Sequence, residues 1–113
     1  MLVVRVQQLQ VLEQTVLRRF EEDMAQHVRT GFPGAAFTKD DRSLRKFVLE
    51  SIQIAKGFGV DLEYDLRRFI EFRAEYGEDF PRLAWASEIL HDESLSGCGK
   101  MERIDDYSLY VLR

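Results

Sequence analysis

Apolar residues along this chain recur at helical rather than alternating spacing, and the pattern divides it into amphipathic segments. Advancing about 100° per residue, Leu9, Leu12, Val16, Leu17, Phe20, Met24 and Val28 fall on one broad face, with Gln14, Arg18, Glu21 and Ala25 opposite. This predicts a helix over residues 6–30, stopped by Gly31 and Pro33. Residues 31–38 carry no period and read as a loop whose Phe32 and Phe37 plug onto the core. Thr38 with the following acids reads as a capping-box variant, opening a second helix over 39–58. Its Leu44, Phe47, Val48, Ile52, Ile54, Ala55 and Phe58 share one arc.

A third helix is predicted over 62–76, capped by Asp61, with Glu63 and Asp65 favouring its N-terminal dipole and Gly77 ending it. Leu62, Leu66, Phe69, Ile70, Phe72 and Tyr76 form its apolar arc. Pro81 suits a first helical position, so a fourth helix over 82–91 presents Leu83, Trp85, Ala86, Ile89 and Leu90. A Ser-Gly-Cys-Gly break occupies 96–99. Beyond it a short helix over 100–108 is the preferred reading, although Tyr107, Leu109 and Val111 also alternate as a strand would.

Composition narrows the class. With 113 residues, 45% hydrophobic and 32% charged, the chain suits one folded domain with one modest core. Two prolines and seven glycines leave long uninterrupted segments. The expected fold is all-α: residues 1–113 as a compact single-domain bundle or orthogonal array of four to five helices. A net charge of −4 excludes the basic footprint of nucleic-acid binding, and the pairs Arg18-Arg19 and Arg67-Arg68 are both flanked by acids. A single cysteine allows no internal disulfide and suits a reducing compartment. The apolar opening is interrupted by Arg5 and glutamines, too short to span a bilayer. A cytoplasmic, membrane-independent protein is the expectation.

Chemistry-bearing residues are few. His27, His91 and Cys98 are the only soft ligands, and their spacing makes no metal site. His27 falls within the apolar arc of the first helix and is expected to be a packed, hydrogen-bonded core residue. Carboxylate pairs sit at helix starts or on polar faces, and no nucleophile, phosphate-loop or dinucleotide motif is present. No catalytic residue, metal or cofactor is expected, which favours a binding module over an enzyme.

Two oddities point to a binding surface. Arg73 projects into the apolar arc of the third helix, where an unpaired guanidinium is costly; either a carboxylate pairs with it or that edge faces a partner. Eight Phe, four Tyr and one Trp are also many rings for one small core. Aromatics mixed with arginine are the usual composition of an interface centre. The candidate partner-binding residues are Tyr64, Arg68, Phe72, Arg73, Tyr76 and Trp85.

These features also occur together in a wider pattern. Arg5 precedes the glutamine-rich start Gln7-Gln8, and the long first helix ends near Phe32-Pro33. Gly59 leads into a helix through Asp61 and Asp65. Tyr76-Gly77-Glu78-Asp79-Phe80 forms an aromatic-glycine turn, and Trp85-Ala86 precedes Ile89-Leu90. In these stretches, which span most of the domain, the chain resembles small helical accessory proteins encoded in bacterial type VI secretion effector clusters, beside spike, tip and effector-chaperone genes. Arg73 departs from that pattern, which has an apolar residue there. The resemblance implies a co-chaperone or adaptor accessory that binds an effector toxin or its adaptor chaperone for loading onto the spike. An immunity protein that plugs a cognate toxin is the alternative, since negative charge suits a basic nuclease cleft.

Overall fold

A computed structural model describes residues 14–112, and among these the chain is all-α, with five α-helices and no strand. The helices are α1 (Gln14–Gly31), α2 (Asp41–Gly57), α3 (Glu63–Tyr76), α4 (Ala84–Leu90) and α5 (Gly97–Tyr110), with 3-10 turns at Ala36–Thr38 and Phe80–Arg82. The predicted first helix lies outside the described residues over 6–13 and is helical from Gln14 onwards. α1 and α2 form an antiparallel pair in which Arg29 near the end of one bridges Asp41 at the start of the other. α3 runs antiparallel to α2, with Arg73 reaching Phe47 and Ser51. α5 runs parallel to α3, as the Arg68–Asp105 and Tyr76–Ser108 pairs require.

The helical faces read from the sequence are largely the buried ones. Phe20, Met24 and Val28 of α1, Leu44, Phe47, Val48, Ile52 and Ala55 of α2, and Leu66, Phe69, Ile70 and Phe72 of α3 make one core with Phe80, Ala86, Leu90, Met101 and Ile104. Phe32 and Phe37 pack against it from the loop, and Phe37 stacks on Phe47 with ring centroids 3.9 Å apart. Some face assignments differ. Ala25, placed on the polar side of α1, is buried, while Val16 is 45% exposed because no described helix covers the start of α1.

The helix starts differ more. Asp40, not Thr38, caps α2, its Oδ1 accepting from the Ser43 N–H at 2.7 Å. The Thr38 hydroxyl instead donates to the Ala35 carbonyl at 2.6 Å and tightens the preceding loop. Asp61 does not cap α3; Leu62 holds that position without a side-chain bond and is 39% exposed. Pro81 sits in the 3-10 turn, and α4 begins only at Ala84.

The predicted break at 96–99 is the first turn of α5. Ser96 accepts from the Gly99 N–H at 3.0 Å and starts the helix at Gly97, which continues to Tyr110 and excludes the strand reading. The glycines permit this start for a tertiary reason. A Cβ on Gly97 would lie 2.1 Å from the Gly59 carbonyl oxygen, so α5 begins in direct contact with the turn between α2 and α3. Gly59 itself has φ +84, in the left-handed region that favours glycine. The Lys100 ammonium then donates to the Phe58 carbonyl at 2.8 Å and locks that turn onto α5.

Arg73 resolves the conflict in its helix. It is 6% exposed and buried among α2, α3 and the turn after α3. Its Nε donates to the Glu78 carbonyl at 3.1 Å and Nη1 donates to Ser51 Oγ at 2.9 Å, with the guanidinium 5.0 Å above the Phe47 ring. Burial lowers its pKa, and the charges of Glu78, Glu50 and Asp79 oppose that shift. The guanidinium thus fastens α2 to α3 and to the turn after α3. Arg73→Ala should cost about 2–3 kcal/mol, since it removes several buried donor bonds and the packing on Phe47. Denaturant unfolding checks this, and Arg73→Lys, which lacks the fork, should recover less than half.

Asp65, read as a dipole-complementing surface acid, is 4% exposed. Burial, then the charges of Glu102 and Asp61, raise its pKa, while Arg68 opposes the shift. A raised carboxyl favours folding fully only below its unfolded value and loses that contribution as pH rises through the folded value. Asp65→Asn should therefore stabilise the fold at neutral pH by roughly 0.5–1 kcal/mol. The gain should shrink towards zero as the pH falls to about 4, which a pH series of unfolding curves will show.

Candidate protein-docking surface

The turn from α3 into α4 brings six aromatic rings together. Gly77 ends α3, and the 3-10 turn that follows drives Phe80 inward to full burial. Phe69, Phe72, Tyr76 and Trp85 surround it with ring centroids 5.6–6.0 Å away. The Tyr76 hydroxyl meets Ser108 Oγ at 3.0 Å, which ties α3 to α5. Trp85 lies edge-on to Tyr76 and stacks flat on Tyr107, at 4.8 Å and 4°. Offset and edge-to-face pairs of this kind contribute beyond area burial, so the indole is rigidly held.

Trp85 is nevertheless only half-buried. With Tyr107 it floors an open groove of about 490 Å³ between α4 and α5, also lined by Ala84, Glu88, Ile89, Asp92, Leu95 and Arg103. On α5, residues 103, 107 and 110 follow i, i+4, i+7 spacing and share one face. Tyr110, which is 80% exposed, therefore stands on the same face of α5 as the groove residues, followed in the chain by the exposed Val111 and Leu112. A held indole–phenol pair flanked by charge, with an exposed tyrosine on the same helix face, is the composition of an interface centre.

The residues predicted from the sequence are not one site. Trp85 lies on this groove, with Tyr76 half-buried behind it. Phe72 is 5% and Arg73 6% exposed; both are corrected from partner-facing to core residues, because the wide apolar arc of α3 packs between α2 and α5. Tyr64 is exposed, but at the opposite end of α3 from Tyr76, roughly 18 Å away along the helix. Arg68 is half-buried and engaged, pairing with Asp105 and lying 5.3 Å over the Phe72 ring. Burial raises the Asp105 pKa in spite of that pairing. The groove residues Arg103 and Tyr107 were missed because the tail was left open between helix and strand, and Ile89 was read only as part of the apolar face of the fourth helix. The Arg103, Tyr107, Tyr110 spacing was the available signal.

The histidines and the cysteine lie apart. His27 is not a core residue: its side chain is 35% exposed and Nε2 lies 2.7 Å from Glu71 Oε2, since α3 meets α1 there through a polar seam. His91 is exposed and bonds Ser87 within its own turn. The Cys98 thiol is exposed, and its pKa is raised first by the Asp65 charge, then by burial and Glu102. Among the described residues, no group of three or more His, Cys, Asp or Glu could hold a metal ion, and no helix is long and apolar enough to cross a membrane. Compared with protein-family models, curated proteins and solved structures, the chain matches none.

Proposed function

We propose that this protein is a non-catalytic protein-binding module, a co-chaperone or adaptor accessory that docks an effector toxin or its adaptor chaperone through the α4–α5 face. One observation carries the reading: the Trp85–Tyr107 stack is held against the core yet remains open to the outside, with the exposed Tyr110 on the same face of α5. Pre-organised rings lose little conformational entropy on binding, so such a surface suits recognition rather than packing. The choice of partner, type VI secretion effector or adaptor, rests on the resemblance of the helix-start, turn and Trp-Ala stretches to accessory proteins of those clusters.

Co-expression with the products of neighbouring genes, followed by pull-down, tests the proposal. The wild-type chain should retain an effector or adaptor. Tyr110→Asp, which alters only an exposed ring, should weaken capture at least about tenfold with the melting temperature unchanged. Capture of no neighbour, or undiminished capture by Tyr110→Asp, sinks the reading. Protection of toxin-exposed cells by this chain alone would replace it with an immunity role.

A further inference from the structure

We infer that the α4–α5 groove takes an amphipathic helix of the partner whose apolar face is flanked by lysine or arginine; this rests on the docking reading above. The groove is walled by two helices that run antiparallel, with the Trp85–Tyr107 stack near one end and the charge of Arg103 acting on Asp92 near the other. Helical walls satisfy their own backbone groups and offer no edge for strand addition. An occupant that likewise keeps its backbone satisfied needs only to bury side chains, which is what a helix does. The floor is made by Trp85, Ile89, Leu95 and Tyr107, and Tyr110 shares the α5 face of Tyr107. Along α5 the residues Arg103, Tyr107 and Tyr110 cover about 10 Å, or two helical turns, and match leucine-like residues at i, i+3 or i+4, and i+7.

Charge selects the flanks. Glu88 and Asp92 stand on the α4 side against a single base, Arg103, on the α5 side. Among the described residues neither Glu88 nor Arg103 is held in an ion pair. Hydrogen bonds from Ser94, then the charge of Arg103, keep the Asp92 pKa low, so this wall is anionic at neutral pH. Two acids against one base leave the rim net negative, and a basic flank complements it.

The test uses two synthetic helical peptides of about 18 residues with the same leucine face and no tryptophan, one flanked by lysines and one by glutamates. Trp85 is the only tryptophan of the chain and lies in the groove, so its emission reports occupancy. The lysine peptide should bind about five- to tenfold more tightly at low salt, and Glu88→Gln with Asp92→Asn should reduce that preference to about twofold. A preference unchanged in the double variant would assign it to the overall charge of −4 and overturn the inference. Binding of neither peptide overturns the helical occupant. The docking reading fails by a different result, capture of a neighbouring gene product that is indifferent to Tyr110→Asp.

Discussion

Gly97→Ala is expected to destabilise the protein by about 3 kcal/mol or more, a fall in melting temperature of roughly 10–20 °C for a domain of this size. Helix propensity predicts the opposite sign, since alanine in place of a helical glycine usually stabilises by up to about 1 kcal/mol. The tertiary contact overrides it. The added Cβ would lie 2.1 Å from the Gly59 carbonyl oxygen, 2.8 Å from its carbon and 3.0 Å from the Val60 Cα. These are backbone atoms and cannot rotate away. The turn that carries them is fixed by the Phe58 and Val60 N–H groups, which both donate to the Ala55 carbonyl, and by the fully buried Val60. Relief therefore requires α5 to move off the bundle, with loss of Met101 and Ile104 packing and of the Lys100 bond. Gly57→Ala is the control: its Cβ would meet nothing within 4 Å, and unfolding should be unchanged or slightly harder. Equal behaviour of the two variants in thermal melts would show that α5 does not seat against that turn.

Phe80→Ala is expected to cost about 3–5 kcal/mol. The ring is fully buried at the centre of the aromatic cluster, and its removal leaves a cavity that four rigid neighbours cannot close. Because Trp85 leans on Phe80, the variant should also shift tryptophan emission to longer wavelength while the protein is still folded. Denaturant unfolding and emission spectra together check this. A loss below about 1.5 kcal/mol, in the range of ordinary substitutions, with unaltered emission would mean that the groove floor is not anchored in the core.

The fold was legible in the sequence where it depends on local order. The face of α2 from Leu44 to Ala55 and that of α3 from Leu66 to Phe72 could be read because a helix places every third or fourth residue together whatever it later packs against. The loop rings Phe32 and Phe37 were legible too, since large apolar residues without a period still seek burial. The candidate docking surface was legible only at Trp85. Its partner Tyr107 lies 22 residues further on, and their stacking depends on how α4 and α5 lie against each other. Phe72 and Arg73 were misplaced for the same reason: an arc of α3 wide enough to look partly exposed is covered on one side by α2 and on the other by α5.

By itself, the amino-acid order determined that the chain is helical, where most helices run and which of their faces turn inward. Periodicity, glycine stops and acid-rich helix starts act within a few residues, so no distant contact is needed to read them. Only the tertiary structure decided that Arg73 is a buried clasp, that the Gly97 region starts a helix rather than breaking one, and that Trp85 and Tyr107 share a groove. Each of these depends on the distance between segments remote in sequence, and that distance is set by the packing of whole helices rather than by the preferences of any one stretch.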